Sequence, residues 1–123
     1  MPAVRLQRKG ALEALASDPL LEGADERLSV SYTWNTPSTS HAFEVGTWEA
    51  GPHELPIAPY PSSELIFVIS GSFSLTFEDR APETFNSGDA VLITQGTRCG
   101  WKQDSHCRKY FMEVLPDQPR AKL

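Results

Sequence analysis

Glu64 opens a run in which every residue from Leu65 to Ile69 is apolar, and Gly71 follows soon after. An ionised carboxylate is costly to bury alone, so a glutamate in such a place sits at a wet rim, finds a partner, or works as an acid or base. Cys99 is the second residue with chemistry to offer. A thiol is a nucleophile when a neighbouring cation lowers its pKa and a small hydrophobe otherwise, and on a strand the adjacent Arg98 points to the opposite face. Trp101 shares the face of Cys99, Trp48 lies on another predicted strand, Tyr60 carries a hydroxyl between two prolines, and Lys109 is the only lysine in the last predicted strand. Each has a plainer reading beside the functional one. Glu64 can be the partner of an interior Arg, Lys or Tyr, the indoles can be core, and Tyr60 can be a loop residue. Glu64 and Cys99 are the catalytic candidates, and Trp48, Tyr60, Trp101 and Lys109 the ligand-binding ones.

The three histidines, His41, His53 and His106, fall near predicted loops. Of these, His53 in the segment Ala50–Leu55 is the one that a folding loop could bring toward Glu64. The chain holds no nucleophile elbow, phosphate-binding loop or dinucleotide fingerprint, which removes the usual hydrolase, kinase and dehydrogenase readings.

The elements that must position these residues are strands. From Leu28 onward prolines and glycines punctuate the chain at roughly the 8 to 12 residue spacing of an all-β sandwich or barrel. Predicted strands cover residues 28–34, 42–49, 64–70, 72–78, 83–86, 90–94, 98–103 and 108–115. Residues 72–78 alternate, with Phe73, Leu75 and Phe77 on one face and Ser72, Ser74 and Thr76 on the other. Residues 64–70 are apolar on both faces, as in a strand covered on both sides. Gly71 is expected to take a positive φ in a tight hairpin, and Gly88 to close a turn in the same way. On the last strand Lys109, Phe111 and Glu113 share one face and Tyr110, Met112 and Val114 the other, with the inward face open. A short helix is expected over Ala11–Ser17, ended by Asp18 and Pro19.

At 123 residues the chain makes one domain, read as an extension over 1–26, a barrel over 27–116 and a tail over 117–123. A net charge of -5 with scattered basic residues speaks against a nucleic-acid partner. No apolar run approaches the roughly 20 residues of a membrane span, and the first residues lack the pattern of a signal peptide, so a cytoplasmic location with no membrane partner is expected. Cys99 and Cys107 are then free thiols.

The spacing of Glu64, Gly71, Gly88-Asp89 and Gly96 resembles the two-motif signature of the cupin superfamily, with Thr94 where the second motif has proline. The segments Gly46–Gly51, Pro59–Gly71, Ser87–Trp101 and Arg108–Phe111 are similar to small single-domain cupins of the ureidoglycine aminohydrolase cupin-domain type, over about residues 28 to 115. The resemblance implies a double-stranded β-helix, or jelly-roll barrel, with a ligand pocket at one mouth and a homodimeric state. It also marks a departure. Metal-dependent cupins place two histidines before the glutamate and one in the second motif; here those positions hold Ala58 and Tyr60, or Ile57 and Pro59, and then Cys99. No cofactor and no metal are therefore expected, since a catalytic zinc wants three protein ligands. Three functions follow as expectations. The first is a small-molecule-binding cupin with a metal-poor pocket, the second a metal-dependent enzyme on a small nitrogenous or carboxylated metabolite, and the third a sensor or assembly module.

Overall fold

The computed structural model describes residues 3–14, 21, 23–35 and 42–115. Among them are ten strands: β1 (Glu13–Ala14), β2 (Arg27–Asn35), β3 (Ala42–Ala50), β4 (His53–Pro59), β5 (Ser63–Ser70), β6 (Ser72–Thr76), β7 (Glu83–Asn86), β8 (Ala90–Ile93), β9 (Arg98–Gln103) and β10 (Cys107–Leu115). They form a six-stranded sheet in the order β1-β2-β3-β10-β5-β8 and a four-stranded sheet in the order β4-β9-β6-β7, and every pairing within them is antiparallel. The all-β, two-sheet architecture expected from the sequence is present.

Side-chain alternation sets which face of each strand meets the interior. On β6, Phe73 and Leu75 are buried while Ser72, Ser74 and Thr76 are half-buried on the other side. On β5, Glu64, Ile66 and Val68 turn inward, leaving Leu65 and Phe67 on the outer face, the latter 46% exposed. On β10 the inward residues are Cys107, Lys109 and Phe111, with Met112 and Val114 exposed, which settles the face left open by the sequence. The packed interior centres on Ile66, Val68, Leu75 and Phe73. Phe73 stacks on Trp101 with ring centroids 3.9 Å apart and leans on Phe85 at 5.3 Å.

Gly71 takes φ 78° in the β5–β6 hairpin, and a Cβ there would stand 2.1 Å from the His106 carbonyl oxygen, so both the turn and the close approach require glycine. Gly88 has φ 93° with open space around it.

Two features differ from the sequence reading. The N-terminal helix is not supported: Glu13 and Ala14 pair with Leu28 and Arg27 as β1, and the described residues contain no α-helix. A helix of two turns is marginal in water, whereas pairing at the sheet edge lets Leu12 bury its side chain and its carbonyl accept from Arg27 Nη1 at 3.1 Å. Residues 15–17 of that stretch, with Asp18 and Pro19 beyond it, lie outside the described residues, as does His41. The second difference is β4, which the sequence did not announce because Pro56 and Pro59 interrupt it. It is an edge strand with a register shift between Leu55 and Ala58, the setting in which a sheet tolerates proline. Among the described residues no helix is long and apolar enough to cross a membrane.

Candidate ligand pocket

A cavity of about 470 Å³ opens between the two sheets. Leu28, Leu55, Trp48, Trp101 and Phe111 give it apolar walls, while Glu64, Glu113, Glu44, Glu26, Tyr60 and Lys109 supply its polar groups. All six candidates from the sequence, Trp48, Tyr60, Glu64, Cys99, Trp101 and Lys109, line it.

Glu64 is 5% exposed and both of its oxygens are engaged. Oε2 accepts from Lys109 Nζ at 2.8 Å, and Oε1 accepts a hydrogen bond from the Tyr60 hydroxyl. Lys109 is itself 5% exposed. It stands on β10 opposite Trp48 of β3 and Val68 of β5, just past a register shift at Arg108, and its side chain runs back to Glu64. Its ammonium lies 4.7 Å from the ring centroid of Trp48 and 5.0 Å from that of Trp101, within cation–π range of both. Burial, followed by the charge and hydrogen bond of Glu64, raises the Tyr60 pKa well above its ordinary value, so the phenol is a donor that keeps its proton.

A second acidic feature went unnoticed in the sequence. Glu113 of β10 pairs with Glu44 of β3 on one side and Glu64 of β5 on the other, so three carboxylates stand side by side across neighbouring strands and all line the cavity. Like charges directly opposite one another destabilise a sheet. Ser62 relieves part of this by donating a hydrogen bond to Glu113 Oε2. Even so, burial first, and then the charges of Glu64 and Glu44, push the Glu113 carboxyl above the usual carboxylate range, against the opposing pull of Ser62 and Lys109. The signal in the sequence was the shared face of Lys109 and Glu113, but its direction depended on a strand pairing that the sequence does not state. Glu26 was missed in the same way, and it holds the Trp48 indole through Nε1–H at 2.7 Å.

His53 reaches the cavity on β4 rather than on a loop. It stacks on Trp101, with centroids 6.3 Å apart and planes 11° from parallel, and its Nδ1 faces the Gly51 carbonyl at 2.8 Å. Gln103 is a structural peg: it accepts from the Trp101 indole at 3.0 Å and donates to the Ala50 and Gly51 carbonyls at 2.7 and 3.0 Å. The Cys99 thiol is buried, and that burial raises its pKa, which favours the packing role over the nucleophilic one. Arg98 points away to an exposed ion pair with Glu78.

The motif positions Ala58, Tyr60, Glu64 and Cys99 do converge on the cavity. They make a poor metal site nonetheless. Ala58 offers no donor, Cys99 keeps its proton, and Glu64 already holds an ammonium and a phenol. Among the described residues no group of three or more His, Cys, Asp or Glu side chains is arranged to hold an ion. The donor set does not fit a catalytic divalent metal.

Residues 37–111 match the family model of the EutQ-like cupin domain. No curated protein is similar enough in sequence to match. Among solved structures, a DUF861-family protein of unknown function from Pseudomonas syringae pv. tomato is 24% identical with a TM-score of 0.70, over 88% of this chain and 46% of that one. This chain thus spans less than half of that protein's length. The EutQ protein of Clostridium difficile superposes with a TM-score of 0.63 at 14% identity, covering 84% of this chain and 76% of that one. The polyketide cyclase RemF of Streptomyces resistomycificus gives 0.65 at 20% identity, covering 94% and 81%. These likenesses agree on the fold, and the match along residues 37–111 goes further: the chain is a member of the EutQ-like cupin domain family.

Proposed function

We propose that the protein binds a small uncharged or cationic molecule with an apolar body, and that the pocket is equipped for proton transfer to or from it. The observation that carries this is the row Glu44–Glu113–Glu64 lining an apolar cavity, with Lys109 already committed to Glu64. A sheet that keeps three carboxylates abreast loses stability for it, and such violations of local preference concentrate at functional sites. The indoles of Trp48 and Trp101 suit a flat or aliphatic body, and Glu113, with its raised pKa, is placed to give or take a proton.

The metal-dependent, ureidoglycine aminohydrolase-like reading is weakened by the donor set described above. A sensor or assembly role draws support from the outer sheet face, where Leu65, Phe67, Leu92, Met112 and Val114 are exposed, Leu92 to 62%. We take that face as the contact of a cytoplasmic homodimer, which light scattering at micromolar concentration tests; a monomer there removes the dimer from this reading.

The pocket reading is tested with three probes sharing one ring: benzylamine, benzyl alcohol and benzoate. A ligand that binds only the folded state raises the melting midpoint. Benzylamine and benzyl alcohol should raise it, benzoate should not, and Glu113→Gln should diminish the benzylamine shift. A larger shift with benzoate, or none with any probe, overturns the reading.

A further inference from the structure

We propose that Lys109 is an imine-forming amine, and that the substrate class of the pocket is a small aldehyde or ketone with an apolar body. This rests on the pocket reading above and adds a covalent step to it. Three features point the same way. Among the described residues Lys109 is the only lysine lining the cavity, its nitrogen is hydrogen-bonded to a carboxylate able to accept its proton, and two indole faces screen it from water. A buried ion pair is often matched or exceeded in stability by apolar residues of similar volume, so a Lys–Glu pair left open to a cavity asks for a use. Lysine rather than arginine is the fitting choice, because lysine alone can shed its proton and attack a carbonyl.

The step balances with the groups present. Glu64 takes one proton from the Lys109 ammonium, and the freed lone pair on Nζ attacks the carbonyl carbon. The C–N bond forms as the C=O π bond opens, and Glu113 delivers a proton to the oxygen and recovers one from nitrogen, leaving a neutral carbinolamine. Glu64 then returns its proton to the hydroxyl, which departs as water while the nitrogen lone pair closes the C=N bond. The product is an iminium ion. It carries the same single positive charge as the ammonium it replaces, so the Glu64 carboxylate has a cationic partner both before the reaction and after it. The raised pKa of Glu113 suits the donor role.

The test treats the full chain with a limiting amount of benzaldehyde and sodium cyanoborohydride, then locates the resulting N-benzyl groups by peptide mass mapping. Lys109 should be labelled about tenfold more than the exposed Lys9 and Lys102, because a held carbonyl reacts at a raised effective concentration. Lys109→Arg, which keeps the charge, should abolish that preference in a protein that still melts cooperatively. In the unaltered chain, excess benzyl alcohol should suppress labelling of Lys109 while leaving Lys9 and Lys102 unchanged, a result that does not depend on the variant folding. Labelling of Lys109 no greater than that of the exposed lysines, or unaffected by benzyl alcohol, overturns the proposal. If benzyl alcohol nonetheless raises the melting midpoint, only the imine fails; if it does not, the pocket reading falls as well.

Discussion

The interior of the barrel has two parts built on the same strands. Away from the cavity, Ile66, Val68, Phe73, Leu75 and Phe85 pack ring on ring and methyl on methyl, and none of them lines the pocket. At the cavity, β5 and β10 place Glu64 and Glu113 next to each other with Glu44 beyond, together with an ammonium and a phenol. The first part follows the rule that interiors are close-packed and apolar. The second breaks it, and the residues that break it are the ones able to bind or exchange protons. Stability and chemistry are thus separated within one core by a few residues along each strand.

Three changes probe that separation. Phe73→Ala removes a buried ring stacked on Trp101 and should cost about 4 kcal/mol in denaturant unfolding, as large-to-small core changes do. A loss below about 1 kcal/mol would mean that the apolar part is not close-packed. Lys109→Met leaves the Glu64 carboxylate buried without its counter-ion and should cost about 3 kcal/mol, most of it recovered when Glu64→Gln is added. A neutral Lys109→Met, or a double variant no better than the single one, would erase the electrostatic half of the contrast.

The smallest effect concerns Glu113, which faces Glu44, Glu64, Lys109 and Ser62. Its carboxyl has a higher pKa folded than unfolded, so the folded state holds its proton to higher pH. Its contribution to stability is therefore most favourable below the ordinary carboxylate value of 4.5 and is lost as pH rises through the raised value. Glu113→Gln should leave stability at pH 4 nearly unchanged and raise it at pH 7. Equal differences between variant and parent at the two pH values would mean that the carboxylate row is not under strain.

Strands were legible in the sequence wherever alternation or a dense apolar run was present, as in β5, β6 and β9. β4 was hidden because proline is normally evidence against a strand, and only its position at the sheet edge makes Pro56 and Pro59 acceptable. Ala11–Ser17 read as helical because its residues favour helix individually, a preference too weak over so short a stretch to outweigh edge pairing at Glu13 and Ala14. Motif spacing and strand alternation assign Tyr60, Glu64, Cys99 and Trp101 to one pocket, and all four line the cavity. The link from Lys109 to Glu64, and the neighbourhood of Glu113, were not legible. They depend on β10 lying between β3 and β5 and on the shift at Arg108, and long-range register is not written in any local pattern.

That central place of β10 also bears on how the molecule is made. In sequence it follows the nine other strands, yet in space it joins β3 to β5 and provides both of their inner partners. While the chain emerges from the ribosome, β3 and β5 must wait with one edge each unpaired, and β5 waits with an unbroken apolar run from Leu65 to Ile69. Closure of the six-stranded sheet is consequently a late, long-range event of the kind that slows β-rich folding. The Glu64–Lys109 pair, joining residues 45 positions apart, comes into being only with that closure. A nascent chain lacking β10 is without the Lys109, Phe111 and Glu113 wall of the pocket, and its unpaired strand edges are open to pairing with other chains.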